Sequence, residues 1–274
     1  GGASGCAICP TSNPYSISGN DMTCSSGTVN CANNVDKHGN FHVVAAITSI
    51  ANSAFQSCAS LVEVTFAADS NIQTIGSYAF RFASRLTLVA NIPSSLTSFG
   101  ISTFDSCPSL SNVQFLGNSA LTSIGNRAFF GASSLTSFSL PATVISIGDG
   151  AFQQVSSLSS FDMTGSVLQT IGNYAFSGTA LTSFSFPATV VSVGTYAFAG
   201  SSSAPSPLSS VDFGLNSQLE TISAFVFSFT SITSITIPAS VVTIGNNAFQ
   251  GTSSTKTPLS SVKFELNSQL LELG

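Results

Sequence analysis

The sequence predicts a mainly β fold: a solenoid of about nine coils of 22–25 residues, alternating in pairs, with parallel strands and short helical turns, plus a small Cys-rich N-terminal cap. Three observations predict it. An Ala-Phe dipeptide or a close variant ends at Phe55, Phe80, Phe104, Phe129, Phe152, Phe176, Phe198, Phe227 and Phe249. A Gly stands four residues before most of these, usually after Ile, as in Ile75-Gly76, Ile124-Gly125 and Ile171-Gly172. A Leu or Ile follows the Phe, about six residues on in most coils, from Leu61 to Leu259. Apolar slots recurring at this period mark stacked coils, none of which can bury its apolar face alone.

The first element is residues 1–40. Four of the six cysteines lie here, Cys6, Cys9, Cys24 and Cys31, among Gly, Ser and Asn with no regular apolar period. An even cluster of this kind reads as a disulfide-stapled segment and favours an oxidising, extracellular location. A zinc site is the rival, since Cys6 and Cys9 have ligand-like spacing. Asp36, His38 and His42 follow, and the simple reading is an exposed cap edge, with no metal assigned.

The second element is the coil body, residues 41–274. Within a coil, "LTSFSLP" alternates Leu135, Phe138 and Leu140 inward with Ser137 and Ser139 outward, which suits a strand. The "IGxxAF" stretch suits a tight turn and a short helical turn, with Gly supplying the backbone freedom. The Phe is expected to stack on the Phe of the next coil. Coils alternate in kind: one closes through Pro ("LPATVISIG", "FPATVVSVG"), the next through a polar turn ("GNSALTSIG", "TGSVLQTIG"). Pro fixes φ in the first turn, and Asn-Ser or Gly-Ser makes the second. The insertions "SSSAPSP" and "TSSTKTP" read as surface loops.

These aligned Pro, Ile-Gly and Ala-Phe slots, as in "LTSFSLPATVISIGDGAF" and "ITSITIPASVVTIGNNAF", resemble the BspA-like leucine-rich repeat family (LRR_5 type) over roughly residues 41–274. The resemblance implies a right-handed solenoid on a secreted or surface-exposed protein, commonly involved in adhesion and in protein or matrix binding. The family often carries Cys three residues after the Phe, which Cys58 and Cys107 match. Those two lie two coils apart, about 10 Å at ~4.8 Å per stacked strand, too far to bond. Both are expected to be buried free thiols.

Composition then excludes several functions. Only 6% of residues are charged, the net charge is −5, and Lys and Arg together number six. That leaves no basic patch for nucleic acid. No apolar run reaches the ~18 residues that cross a membrane. A chain beginning at Gly1 is expected to be a processed one, and the end at Gly274, lacking a capping coil, suggests continuation or docking on another subunit. Enzymatic activity is not expected: the coil body beyond His42 has no His to serve as a catalytic base. Asp162 and Asp212 are two coils apart, about 10 Å by the same spacing, outside the range of a glycosidase pair, on what reads as a flat face without a pocket. No cofactor is assigned.

Polarity comes instead from 53 Ser and 26 Thr. One row precedes each Ile-Gly slot, and Ser123 belongs to it. A second row lies on the outward strand positions: Ser137, Ser160, Ser183, Ser210, Ser234 and Ser261, and the candidate face joins Ser123 and the first five of these with Ser139, Ser185 and Thr236. Solvated, mutually supporting hydroxyls explain such rows in most sheets. The functional reading is a binding or O-glycosylated face for a protein, matrix or glycan ligand. A subunit of an extracellular filament, assembling through solenoid ends or sides, is the alternative. The chain holds no Asn-x-Ser/Thr site.

Overall fold

The computed structural model describes residues 21–22, 36–43, 47–251 and 259–274. Cys6, Cys9, Cys24, Cys31 and the insertion at 252–258 lie outside the described residues. The chain divides into two compact units, Gly1–Leu135 and Thr136–Gly274. Each is a stack of coils, and each coil contributes one strand to a narrow ladder and one to a broad ladder.

In the first unit the narrow ladder runs through β1 (Asp21–Met22), β3 (Ser49–Ile50), β5 (Thr74–Ile75), β7 (Ser98–Phe99) and β9 (Ser123–Ile124), all parallel. The broad ladder is β2 (Asn40–Val43), β4 (Glu63–Phe66), β6 (Leu88–Ile92) and β8 (Asn112–Phe115). These four strands form one continuous parallel sheet, with Phe41 opposite Val64 and His42 opposite Thr65.

In the second unit the narrow ladder is β11 (Ser146–Ile147), β13 (Thr170–Ile171), β15 (Ser192–Val193), β17 (Thr221–Ile222), β19 (Thr243–Ile244) and β21 (Glu272–Leu273). Its broad ladder is split into pairs: β10 (Ser137–Ser139) with β12 (Ser160–Asp162), β14 (Ser183–Ser185) with β16 (Ser210–Asp212), and β18 (Ser234–Ile237) with β20 (Ser261–Phe264).

The inward slots fill the core as expected. The rings of Phe55, Phe80, Phe104 and Phe129 stack at 5.2–5.3 Å between centroids in the first unit. Phe152, Phe176, Phe198, Phe227 and Phe249 stack at 5.2–5.7 Å in the second. Offset stacking at this spacing adds to the burial of each ring. The two turn types interlock. In the polar turn the Ser166 hydroxyl accepts from the Leu168 N–H at 3.1 Å. In the Pro turn of the next coil Thr189 donates to the Leu168 carbonyl at 2.7 Å.

The corner that carries the Phe differs from expectation. Among the described residues there is no helix. The corner is a run of tight turns, because residues two before and two after the Phe take left-handed backbone, for example Ser53 and Ser57, or Tyr78 and Phe82 at φ near +60°. Such a residue interrupts helical continuation. The N–H groups at the Phe and these flanking slots reach across to the next coil, as in Ser53 to Ser77, Phe55 to Ala79 and Ser57 to Arg81. The Ile-Gly glycine is also explained differently. Gly172 and Gly194 have ordinary φ, but a Cβ on either would stand 2.5 Å from a backbone nitrogen of the preceding coil, Asp149 or Asn173. These glycines are required by close stacking of backbones, not by conformational freedom.

One expectation about cysteine is overturned. Cys58 is disulfide-bonded, while Cys107 is free and buried. The spacing argument rightly kept the two apart but wrongly left Cys58 without any mate. Cys107 donates its thiol proton to the Phe80 carbonyl at 3.1 Å. Burial pushes its pKa up to about 12.

Candidate functional site: the hydroxyl face of the broad ladder

Eight outward residues of the candidate face, Ser137, Ser139, Ser160, Ser183, Ser185, Ser210, Ser234 and Thr236, all lie in the second unit and are exposed. Alternation along a strand points them away from the core, opposite Phe138, Phe184 and Ile235. Register aligns them across each pair: Ser137 with Ser160, Ser139 with Asp162, Ser183 with Ser210, Ser185 with Asp212, and Thr236 with Lys263. Ser123 stands apart, half-buried on β9 of the narrow ladder in the first unit.

The hydroxyls one position before the strands behave differently. Ser159, Ser209 and Ser260 each donate to a carbonyl of the preceding coil, at 3.1–3.3 Å. None of the eight outward side chains hydrogen-bonds another protein group among the described residues. The stack therefore consumes one row of hydroxyls and leaves the next to whatever lies outside.

The face is not flat. Strands β12 and β14 are not paired, and a concavity of about 690 Å³ opens between them, lined by residues 159–166 and 183–189. A smaller one, about 390 Å³, lies beside Asp212 and Thr236 where β16 and β18 separate. Both splits follow an aspartate that ends its strand by closing a turn. Asp162 accepts from the Thr164 N–H at 3.0 Å and hydroxyl at 2.7 Å, and Asp212 from the Gly214 N–H at 2.9 Å. Asp turns of this kind end the strand that leads into them. The Thr164 bonds also hold the Asp162 carboxyl below its usual range. Each concavity thus offers a carboxylate acceptor beside serine and threonine hydroxyls, a set suited to polar, hydrogen-bonding ligands. The sequence pointed to the aspartates but not to the splits, which need the turn geometry to appear.

The residues at the start of the stack have structural duties. Asp36 accepts from the N–H groups of His38 and Asn40 at 2.8 and 2.9 Å, chiefly the Asn40 bond holding its carboxyl low. His42 meets Thr65 at 2.8 Å. Among the described residues no group of three His, Cys, Asp or Glu is placed to hold a metal ion. Among them, too, no helix is long and apolar enough to cross a membrane.

The family profile described as "BspA type Leucine rich repeat region (6 copies)" matches residues 29–133, 89–205 and 122–256. No curated protein matches the sequence. Among solved structures, a leucine-rich repeat protein from Bacteroides ovatus is 22% identical, with 83% of this chain and 78% of that one covered and a TM-score of 0.41. A leucine-rich repeat protein from T. pallidum (TpLRR) is 23% identical, with 66% of this chain and 78% of that one covered and a TM-score of 0.46. The pneumococcal vaccine antigen PcpA is 19% identical, covering 86% and 67%, with a TM-score of 0.48.

Proposed function

The chain belongs to the BspA-type leucine-rich repeat family, and on that premise we propose that it is a non-enzymatic extracellular or cell-surface protein that binds a protein, matrix or glycan ligand through its outer strand face. One observation carries the reading. Eight exposed hydroxyls, aligned across paired strands and beside Asp162 and Asp212, make no side-chain hydrogen bond to another protein group among the described residues, while the adjacent row bonds the preceding coil. These hydroxyls are presented outward, where a ligand can meet them.

The test is a panel of immobilised extracellular-matrix proteins and glycans probed with the full chain. The double variant Ser160→Lys/Ser183→Lys is expected to weaken binding at least tenfold, with the fold unchanged by circular dichroism. Ser123→Lys, on the other ladder, is expected to leave it unchanged. Equal loss from both, or from neither, contradicts the reading. Self-assembly through the ends or sides of the solenoid is the alternative. Sedimentation across a concentration series decides it: a monomer throughout removes the alternative.

A further inference from the structure

A second surface lies in the first unit, at the corner that carries the Phe column. All three arginines of the chain fall within residues 81–127, and that stretch holds one acid, Asp105, on a chain whose net charge is −5. Asp105 is 1% exposed and gathers two of the arginines onto a single oxygen. Arg127 donates to Oδ2 from Nε at 3.3 Å and from a terminal nitrogen at 3.2 Å. Arg81 Nε stands 3.6 Å from the same atom. Ser106 donates to Oδ1 at 2.8 Å. The guanidinium groups also lie over aromatic faces: Arg81 over Phe82 at 4.4 Å and Tyr78 at 5.5 Å, and Arg127 over Phe130 at 3.7 Å. Two arginines on one carboxylate leave an excess positive charge, held in fixed orientation and partly open to solvent.

The rings beside them are placed at a cost. Tyr78 and Phe82 both have φ of +61°, a backbone region that bulky residues avoid and that Gly or Asn takes more cheaply. Neither ring earns that position in the core: they are 38% and 42% exposed, next to Ile101 at 47%. Arginine, tyrosine and phenylalanine presented together, half-desolvated and pre-oriented, are the composition of an interface centre.

We propose that Tyr78, Arg81, Phe82, Ile101, Arg127 and Phe130 form a docking surface for an acidic protein segment that also carries apolar side chains. Carboxylates of that segment would pair with the guanidinium N–H groups that Asp105 leaves unused, forming bidentate bonds. Its apolar side chains would cover the rings and Ile101. The net charge of the patch is too small for a polyanion, whose binding rests on many cations in a row, while the exposed rings need an apolar mate.

A random dodecapeptide phage library selected on the immobilised full chain tests this. Enriched peptides are expected to combine Asp or Glu with aromatic or aliphatic residues. Their affinity is expected to fall at least tenfold for Tyr78→Asn/Phe82→Asn and for Arg127→Gln. Asn suits the left-handed slot, so the double variant keeps the fold, checked by its melting curve, even if Arg127→Gln does not. Enriched peptides without acids, or peptides that bind the double variant equally well, overturn the proposal. So does heparin binding tighter than every selected peptide, which would assign the face to a polyanion.

Discussion

In the first unit the slot two residues before the Phe holds Ser53, Tyr78, Ser102 and Arg127; in the second it holds Gly150, Tyr174, Tyr196, Phe225 and Asn247. The backbone is the same in both, with φ between +54° and +61° at all nine. In the second unit three consecutive rings stack on one another, Tyr174 on Tyr196 at 4.9 Å and Tyr196 on Phe225 at 4.6 Å, so Tyr174 and Tyr196 each gain a ring contact from the next coil. In the first unit Ser102 interrupts the ring column, and guanidinium groups gathered by Asp105 take its place. The broad ladders differ too, continuous in the first unit and split at Asp162 and Asp212 in the second. The repeat thus dictates core and backbone, and leaves the outer slots open to different uses.

If that separation holds, the two units should respond alike to core changes and differently to outer ones. The largest effect is expected from Phe104→Ala and Phe176→Ala, equivalent fully buried rings in the two columns. Each should cost about 3–5 kcal/mol in urea unfolding, and a clear difference between them would mean that the cores are not equivalent.

The slot after the Phe should separate the units. Asp105→Ala strips Arg81 and Arg127 of their shared buried partner and is expected to cost about 3 kcal/mol, the low end for a broken buried pair, since both guanidinium groups are partly open to water. Ser177→Ala, at the same slot in the second unit, loses one bond to the Ala199 carbonyl at 2.9 Å, and about 1 kcal/mol. Equal costs would show that the ion cluster is no firmer than a single hydroxyl.

Alkaline pH supplies a further contrast, since the second unit contains no cysteine. The folded Cys107 thiol holds its proton to about 12, against 9.0 for an ordinary thiol. Above pH 9 the unfolded chain loses this proton and the folded chain keeps it, so stability falls as pH rises from 9 toward 12. By pH 10 the loss is expected to be about 1 kcal/mol. Cys107→Ala should flatten this part of the pH profile, measured by urea unfolding; an unchanged slope would assign it to another group. The smallest effect is expected for Tyr196→Asn, below about 1 kcal/mol, because relief of left-handed strain offsets the lost ring contacts. A larger loss in thermal melting would give the ring column more structural weight than the backbone suggests.

Much of this organisation is legible in the sequence. The Phe, Leu and Ile slots, the alternation of Pro and Asn-Ser turns, and the outward serines are all periodic, and stacked coils turn sequence period into spatial alignment. What escaped is what does not follow the period. Arg81 follows its Phe by one residue and Arg127 precedes its Phe by two, so alignment of repeats never places them together; their long side chains meet at Asp105 across coils. The left-handed slots accept Ser, Tyr, Arg, Gly and Phe alike and so carry no residue signature. The glycine before the Ala-Phe corner is periodic, but its cause is the neighbouring coil's backbone, which a single repeat does not reveal. Cys58 shares its slot with Cys107, so slot identity alone gave both the same fate.

The most direct test of the hydroxyl face is hydrogen exchange of the full chain with and without the panel component it binds most tightly. Protection is expected at residues 159–166 and 183–189, around the Asp162 concavity. Protection confined to the narrow ladder, or absent from these two segments, would contradict binding through the outer strand face.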